Sequence, residues 1–209
     1  MEPDRRRLII IFVVVVIAIG IGWAYYAKKK TSQPAPAKKT AVSNLSNLDP
    51  TDFDAAVKSE YALAASKAIE VNPDYKVAVI EVNVDKDLSV GSISTRYIFT
   101  APTDTANNWM ITVAAATQSY IRALVPKIDY AGNVIPFGTN LWKYNYVTAL
   151  QLAEKAGGLD WRNQNSLINL KLTLKTASAD SILTWTVEYN GQNTNKTIIL
   201  DAASGKVVE

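Results

Sequence analysis

A run of apolar residues near the N-terminus is the most uniform feature of the hydrophobic pattern. Residues 8–27, LIIIFVVVVIAIGIGWAYYA, contain no charged side chain, and basic clusters flank the run, Arg5 to Arg7 before it and Lys28 to Lys30 after it. As a helix with a rise of about 1.5 Å per residue, the run spans roughly 30 Å, the thickness of the hydrocarbon core of a bilayer. It therefore predicts a transmembrane helix. A cleaved signal peptide, the alternative, has a shorter apolar stretch of about 7–15 residues.

Beyond residue 49 the apolar positions recur first at helical and then at strand spacing. Asp49 is suited to cap a helix that Pro50 begins, and Pro73 ends it, because the residue before a proline is driven out of the helical region. The apolar residues of this helix form one stripe: Phe53, Val57, Tyr61, Ala64, Ala65, Ala68 and Ile69. Four strands are predicted after it, at 75–84, 92–101, 108–117 and 119–125.

The second half of the chain repeats this order. Residues 142–158 predict a helix that Gly157 ends. The next segment, 166–176, alternates apolar with polar residues, which is typical of a half-buried strand in an antiparallel sheet. Asn190 and Gly191 indicate a hairpin turn. Further strands are predicted at 182–189, 194–202 and 205–209.

Short stretches of sequence also recur between the two halves. ASKA at 65–68 returns as AEKA at 153–156, and ITVAAATQSY at 111–120 returns as IILDAASGKV at 198–207. The two offsets, 88 and 87 residues, agree, which indicates a duplication. We therefore predict an α+β fold, with two tandem helix-plus-antiparallel-sheet units behind an N-terminal transmembrane helix.

The predicted domain boundaries follow from these elements. They are an N-terminal tail (1–7), a transmembrane anchor (8–27), a flexible linker (28–49), a first repeat (50–126), an inter-repeat connection (127–143) and a second repeat (144–209). The linker is rich in Ser, Ala, Pro and Lys and lacks apolar periodicity, as expected of a tether. Its composition suits either a stalk that holds the folded part off the bilayer or a simple spacer.

The excess of positive charge belongs to the N-terminal region. Residues 1–49 carry eight Lys and Arg against three acidic residues, which leaves 14 basic and 16 acidic residues in 50–209. The folded part has no basic excess for nucleic acid, and we exclude that class of partner. By the positive-inside rule, the larger number of Lys and Arg residues after the apolar run favours a cytoplasmic folded part. Both flanks of the run are basic, however, so this indication of the orientation is weak. The short N-terminal tail favours an extracytoplasmic folded part, and this is the orientation we predict.

Cysteine and histidine are both absent from the chain. This excludes Cys/His zinc sites and catalysis by Ser-His-Asp or Cys-His groups. Asp85 and Asp87 supply too few oxygen ligands for a Ca²⁺ ion. Ser66 and Lys67 do not form a dyad, because neighbouring residues of a helix point apart. We predict no catalytic residue, no metal site, no cofactor and no enzymatic activity.

Two other combinations of side chains are candidates for a site. Trp161 and Arg162 lie in the predicted loop GGLDWRNQN, residues 157–165, where they could contact a ligand or a partner. The alternative is that Trp161 only covers the core between helix and sheet. Glu154 and Glu188 could form a carboxylate pair, but no spacing in the sequence fixes their separation.

The end of the chain carries a turn motif, DAASGKV, at 201–207. Asp201 and Ser204 can hydrogen-bond turn amides, and Gly205 can adopt the positive φ that a tight turn requires. With the preceding helix and strands, this ending resembles the PepSY domain family, in which an Asp-x-x-(Thr/Ser)-Gly turn, Lys-Val and a last short strand close an antiparallel sheet. A generic hairpin would suit the same residues.

The first repeat departs from this pattern. Ala114 stands in place of the aspartate, Gln118 in place of the glycine and Tyr120 in place of the valine. The resemblance therefore rests on the second repeat, and the first is a divergent copy.

The resemblance implies a function without catalysis. PepSY modules are extracytoplasmic or membrane-linked, and an inhibitory or folding-assistant role is proposed for those in peptidase propeptides. We therefore expect a single-pass protein of the cell membrane with an extracytoplasmic binding or regulatory module. Its partners would be the lipid bilayer and another envelope protein or peptide, with protease inhibition as one form of regulation. The alternative is a structural subunit of a cell-envelope or secretion assembly. The sequence sets no oligomeric state.

Overall fold

The computed structural model describes residues 50–86, 93–114, 119–129, 134–178 and 181–208, and the side chains of these residues except 50–56 and 85. The predicted tail, membrane anchor and linker lie outside these ranges. In the ranges that are described, no helix combines the length and the apolar composition needed to cross a membrane.

Helices and strands follow one another in nearly the predicted order. The helices are α1 (Pro50–Ile69), α2 (Tyr146–Ala153) and α3 (Leu159–Gln164). The strands are β1 (Lys76–Asp85), β2 (Ser94–Thr100), β3 (Asn107–Ala114), β4 (Tyr120–Pro126), β5 (Leu167–Thr176), β6 (Leu183–Gly191) and β7 (Asn195–Asp201). The seven strands confirm the strand positions read from the sequence to within a few residues.

The strands form one antiparallel sheet in the order β4-β3-β2-β1-β5-β6-β7. The prediction of two separate helix-plus-sheet units is therefore wrong. The first strand of each half pairs with the other, with Val82 opposite Leu172 at the seam. This pairing satisfies the backbone N–H and C=O groups that two separate sheets would leave at exposed edges.

The core lies between one face of this sheet and the helices. Alternate residues of the strands on both sides of the seam point into a single apolar cluster with residues of α1 and α2. Its largest fully buried apolar or aromatic side chains are Trp185, Tyr97, Tyr189, Phe99, Ile80, Ile111, Leu170, Leu172, Leu174 and Leu200. On the opposite face, Ala78, Val79 and Ile98 are covered in part by Met110 and Val134. The two halves thus share one interior.

Two predicted details differ from the structure. Gly157, with φ of 105°, interrupts the second helix without ending it, and α3 continues where a loop was predicted. The predicted last strand, 205–209, contributes one bridge between Leu200 and Val207 and the hydrogen bond from Val208 N–H to Ile199 O (2.8 Å). The positive φ of Gly157 places a kink in the helix, and α3 begins two residues later at Leu159.

The buried packing at the seam can be tested by a substitution in β5 that creates a cavity. Leu172 is fully buried, so Leu172→Ala should lower the free energy of unfolding by about 2–5 kcal/mol, through lost burial and the remaining cavity. Ile168, on the same strand, is 53% exposed, and Ile168→Ala should cost less than about 1 kcal/mol. Urea unfolding followed by far-UV circular dichroism measures both. Equal losses would contradict the buried position of Leu172.

Candidate functional site

Two adjoining pockets form a groove between α1 and the segment that leads into α2. The larger has a volume of about 440 Å³ and the smaller about 210 Å³, and Tyr61 and Thr139 line both. We call this the α1 groove. The larger pocket is lined by Val57, Lys58, Tyr61, Thr139, Trp142, Lys143 and Asn145. The smaller is lined by Tyr61, Ala65, Ile69, Tyr75, Lys76, Val77, Phe99, Phe137 and Thr139.

Aromatic side chains form the middle of the groove. Tyr61, on the apolar stripe of α1, packs edge-on against Trp142, with ring centroids 5.7 Å apart and planes at 90°. It also contacts the buried ring of Tyr97, at 6.0 Å. Edge-to-face pairs of this kind hold both rings in place. The indole N–H of Trp142 donates to the carbonyl of Tyr144 at 2.9 Å, which fixes the indole further.

Backbone hydrogen bonds hold the other wall of the groove against the sheet. The N–H of Phe137 donates to the carbonyl of Val77 (3.1 Å), and the N–H groups of Lys143 and Tyr144 both donate to the carbonyl of Ala202 (3.2 Å). Trp185 Nε1 donates to the carbonyl of Tyr144 (2.8 Å). This wall is therefore tied to strands of both halves, which makes the groove a preformed feature of the fold.

Asn145 joins this wall to α2. Its side-chain oxygen accepts a hydrogen bond from the N–H of Thr148 (2.9 Å), the usual arrangement of an N-cap. The cap directs the chain away from the groove at this point. It also uses the Asn145 oxygen, so that atom is already engaged in the structure.

The groove is cationic at its rim. Lys58 and Lys143 line the larger pocket and Lys76 the smaller, all three are exposed, and none of the described lining residues is acidic. The phenols remain neutral at pH 7, since burial raises the pKa of Tyr61. Burial and the hydrogen bond that Tyr75 donates to Asp104 (2.8 Å) raise the pKa of Tyr75 to about 12. The groove therefore combines apolar rings with positive charge.

A buried glutamate lies outside the groove. Glu60 is 1% exposed and lines neither pocket. Burial, together with the charge of Glu60, raises the pKa of Tyr97 and of Tyr146. Glu60, Tyr97 and Tyr146 are buried, and none of them is among the described residues that line the two pockets.

Trp161 and Arg162 lie on α3 and not on a loop. The guanidinium of Arg162 is buried and paired with Glu154, with Nε 3.1 Å from both carboxylate oxygens and a closer contact from Nη2. Trp161 packs against Tyr189 at 6.0 Å. Burial and the charge of Glu154 raise the pKa of Tyr189. Arg162 is thus paired within the protein and Trp161 packs on Tyr189, and the role of the two residues as contacts for a ligand or partner stays a prediction.

Other sequence candidates are also accounted for. Glu188 alternates with core residues of β6 and so lies on the face of the sheet opposite Glu154, which separates the two carboxylates. Ser66 donates to the carbonyl of Leu63 (2.8 Å), and Lys67 pairs with Glu70 (2.5 Å). In the described part of the chain, no cluster of three or more acidic residues is placed to hold a metal ion.

The turn at the end of β7 has the hydrogen bonds that its residues favour. Asp201 Oδ1 accepts from the N–H groups of Ala203 (2.7 Å) and Ser204 (3.2 Å), and Asp201 Oδ2 accepts from the Ser204 hydroxyl (2.9 Å). Gly205 has φ of 70°, and its N–H donates to the carbonyl of Asp201 (2.8 Å). A side chain there would be strained and would press on Leu152. This turn is structural.

Sequence reasoning missed the groove. Its only local signal is the stretch WKYN at 142–145, where an aromatic residue and a lysine precede the helix cap. The packing of Trp142 against Tyr61, 81 residues earlier, depends on the fold.

Breaking the buried ion pair should destabilise the protein. Arg162→Met leaves the Glu154 carboxylate buried without its cation, and we expect a loss of about 3–5 kcal/mol in the free energy of unfolding. Adding Glu154→Gln should recover part of this loss. Lys171 contacts Glu81 at 3.2 Å but is 38% exposed, so Lys171→Met should cost less than about 1 kcal/mol. Urea unfolding measures all three. A loss for Arg162→Met as small as that for Lys171→Met would contradict the buried pair.

Asp201 should contribute a pH-dependent part of the stability. Hydrogen bonds from the Ala203 N–H, the Ser204 hydroxyl and the Ser204 N–H lower the pKa of Asp201 below its usual 3.8. A lowered folded-state pKa stabilises the protein above the unfolded pKa, and this stabilisation is lost as the pH falls through the folded value. Asp201→Asn should therefore lower stability at pH 7 by up to about 1 kcal/mol, since solvent screens this carboxylate.

The difference between Asp201→Asn and the wild type should shrink as the pH is lowered below about 4. Thermal unfolding between pH 2 and pH 7 measures it, with Ser204→Ala as a variant that removes only the hydroxyl. A difference that grows toward acid would contradict this assignment.

No protein-family profile matches the chain, and no curated protein matches it. Among solved structures, it is similar to the crystal structure of a "putative lipoprotein" from Clostridium difficile 630, with 13% sequence identity and a TM-score of 0.46. The alignment covers 71% of this chain and 90% of that one. Similarity at this level assigns neither a fold nor a function to the chain, and the resemblance to the PepSY family stays a prediction.

Proposed function

We propose that the chain is a membrane-anchored, extracytoplasmic binding module whose α1 groove takes an extended acidic segment of a partner protein. The observation that carries the proposal is the composition of the groove, which combines aromatic rings with the exposed Lys76 and Lys143 and has no acidic residue among its described lining residues. The apolar rings would contact side chains of the segment, and the lysines would attract its carboxylates. The module acts by contact, without catalysis.

The shape of the groove supports an extended ligand. Tyr61 and Thr139 connect two pockets, so a chain that crosses both would place one side chain beside Trp142 and another beside Phe137. The wall is held by backbone hydrogen bonds to Val77 and Ala202. A preformed groove reduces the ordering cost of binding, which favours recognition of a short segment.

The chemistry of the lining favours a peptide over a glycan. The smaller pocket is bounded by Ala65, Ile69, Phe99 and Phe137, which suit an aliphatic or aromatic side chain. Sugar hydroxyls require many hydrogen-bonding partners, and the uncharged polar residues here are few, with the Asn145 oxygen already used as a helix cap.

Charge also disfavours the chain's own linker as the occupant. Residues 28–49 contain five lysines and one aspartate, and the lysines of the rim would repel such a segment. The predicted anchor at 8–27 would hold the groove near the bilayer, where another envelope protein could supply the acidic segment.

The charge preference can be measured with two labelled octapeptides, one that alternates glutamate with leucine and one that alternates lysine with leucine. The full chain in nanodiscs of zwitterionic lipid should bind the acidic probe more tightly, by fluorescence anisotropy. Lys143→Glu should weaken that binding by about fivefold to tenfold, because it reverses a charge at the rim. Raising the salt concentration should weaken it as well.

Lys175→Glu is the matched control. Lys175 is exposed on β5, on the face of the sheet away from the helices, and its reversal should change the affinity by less than about twofold. Equal affinity for the two probes, or equal effects of the two variants, would overturn the proposal. Tighter binding of a heparin hexasaccharide than of the acidic peptide would also overturn it, in favour of an anionic glycan.

A further inference from the structure

The β4 strand is an open edge of the sheet. Among the described strands, only β3 pairs with it. Its apolar side chains are exposed, with Ile121 at 74%, Leu124 at 55% and Tyr120 at 39%. Ile128, which follows the strand, is 91% exposed. A free strand edge with exposed apolar residues is a template for pairing with another chain.

The register shows which backbone groups point outward. Ala114 N–H donates to the carbonyl of Ser119 (3.0 Å), and Lys127 N–H donates to the carbonyl of Ala106 (2.8 Å). In an antiparallel pair hydrogen-bonded positions alternate, so the odd-numbered residues of β4 bond to β3. The N–H and C=O groups of Tyr120, Arg122 and Leu124 therefore point away from the sheet.

Pro126 fits this assignment. It occupies the last outward-pointing position of β4, where the N–H that proline lacks would have faced the open edge. Prolines in sheets are confined to such positions. Its carbonyl can still accept a hydrogen bond from an added strand.

We propose that β4 pairs with β4 of a second copy of this chain, antiparallel about a two-fold axis at Ala123. The strand runs from Tyr120 to Pro126, so Ala123 is its midpoint and this register uses its whole length. The outward groups of each strand then meet those of the other, in roughly six hydrogen bonds. The two sheets become one continuous sheet across the dimer.

The side chains are complementary in this register. On the face away from the helices, Ile121 lies opposite Val125 of the second copy, and Ala123 lies opposite its counterpart. On the helix face, Arg122 lies opposite Leu124 and Tyr120 opposite Pro126. No two like charges are directly opposed, and a small residue occupies the axis, where the backbones of a non-hydrogen-bonded pair approach to about 4.5 Å.

Other registers are less favourable. An axis at Arg122 preserves the hydrogen bonds but sets the two guanidinium groups directly opposite each other. An axis at Ile121 leaves Leu124 and Pro126 beyond the described overlap. Of these three registers, the one about Ala123 is the most complementary, which favours a second copy as the occupant.

The absence of cysteine from the chain allows a direct test. Ala123→Cys in the full chain in detergent places a single thiol on the axis, at a Cα separation compatible with a disulfide. Arg122→Cys is the matched control, because two residues at position 122 lie more than about 7 Å apart in this register. Thr197→Cys, on β7 at the other edge, reports random collisions.

We expect copper-phenanthroline to oxidise Ala123→Cys to a covalent dimer on the order of tenfold faster than either control. Ile121→Lys, added to Ala123→Cys, should slow the reaction by a similar factor and leave the far-UV circular dichroism spectrum unchanged, because Ile121 is exposed. Light scattering should show a dimer after correction for detergent. Equal oxidation rates at the three positions, or a monomer at about 100 μM protein with no disulfide from Ala123→Cys, would overturn the proposal.

Discussion

Six residue pairs join β1 to β5, from Ile80 opposite Leu174 to Asp85 opposite Asn169. This pairing turns two similar halves into one sheet, because the first strand of each half satisfies the edge of the other. It also merges the apolar faces of the halves, so that side chains such as Tyr97 and Trp185 belong to one core. The positions of the helices, the groove and the free edges all depend on this seam.

The α1 groove forms because two segments cover the same face of the sheet side by side. The helix α1 and the segment before α2 lie on the same face, and Tyr61 meets Trp142 where they approach each other. Their exposed lysines remain at the rim, because burying an ammonium group costs free energy. Arg162 shows the opposite solution, with its charge buried and neutralised by Glu154. The lysines of the rim, in contrast, are exposed.

The two edge strands of the sheet, β7 and β4, differ in how far their outer sides are covered. The outer side of β7 is partly covered, because Val207 bridges to Leu200 and Val208 donates to Ile199. The turn that allows this depends on Asp201 and on the positive φ of Gly205. Tyr120 to Pro126 of β4 have no such cover among the described residues. Because the two halves are joined through their first strands, β1 and β5, their last strands lie at the outside of the sheet.

The sequence by itself determined the local elements, because the alternation in 166–176, Pro50, Pro73 and the DAASGKV turn act over a few residues. It did not determine that the two halves share one sheet, because strand pairing between Val82 and Leu172 joins residues 90 positions apart and leaves no periodic signal. Contacts between distant residues also decide the surroundings of the candidate site residues. The sequence predicts a loop at Trp161 and Arg162, because Gly157 resembles a helix end, whereas in the structure both residues lie on α3 and contact Tyr189 and Glu154. The α1 groove could not be predicted from the sequence, because it forms only where residues far apart in the chain, such as Tyr61 and Trp142, come into contact.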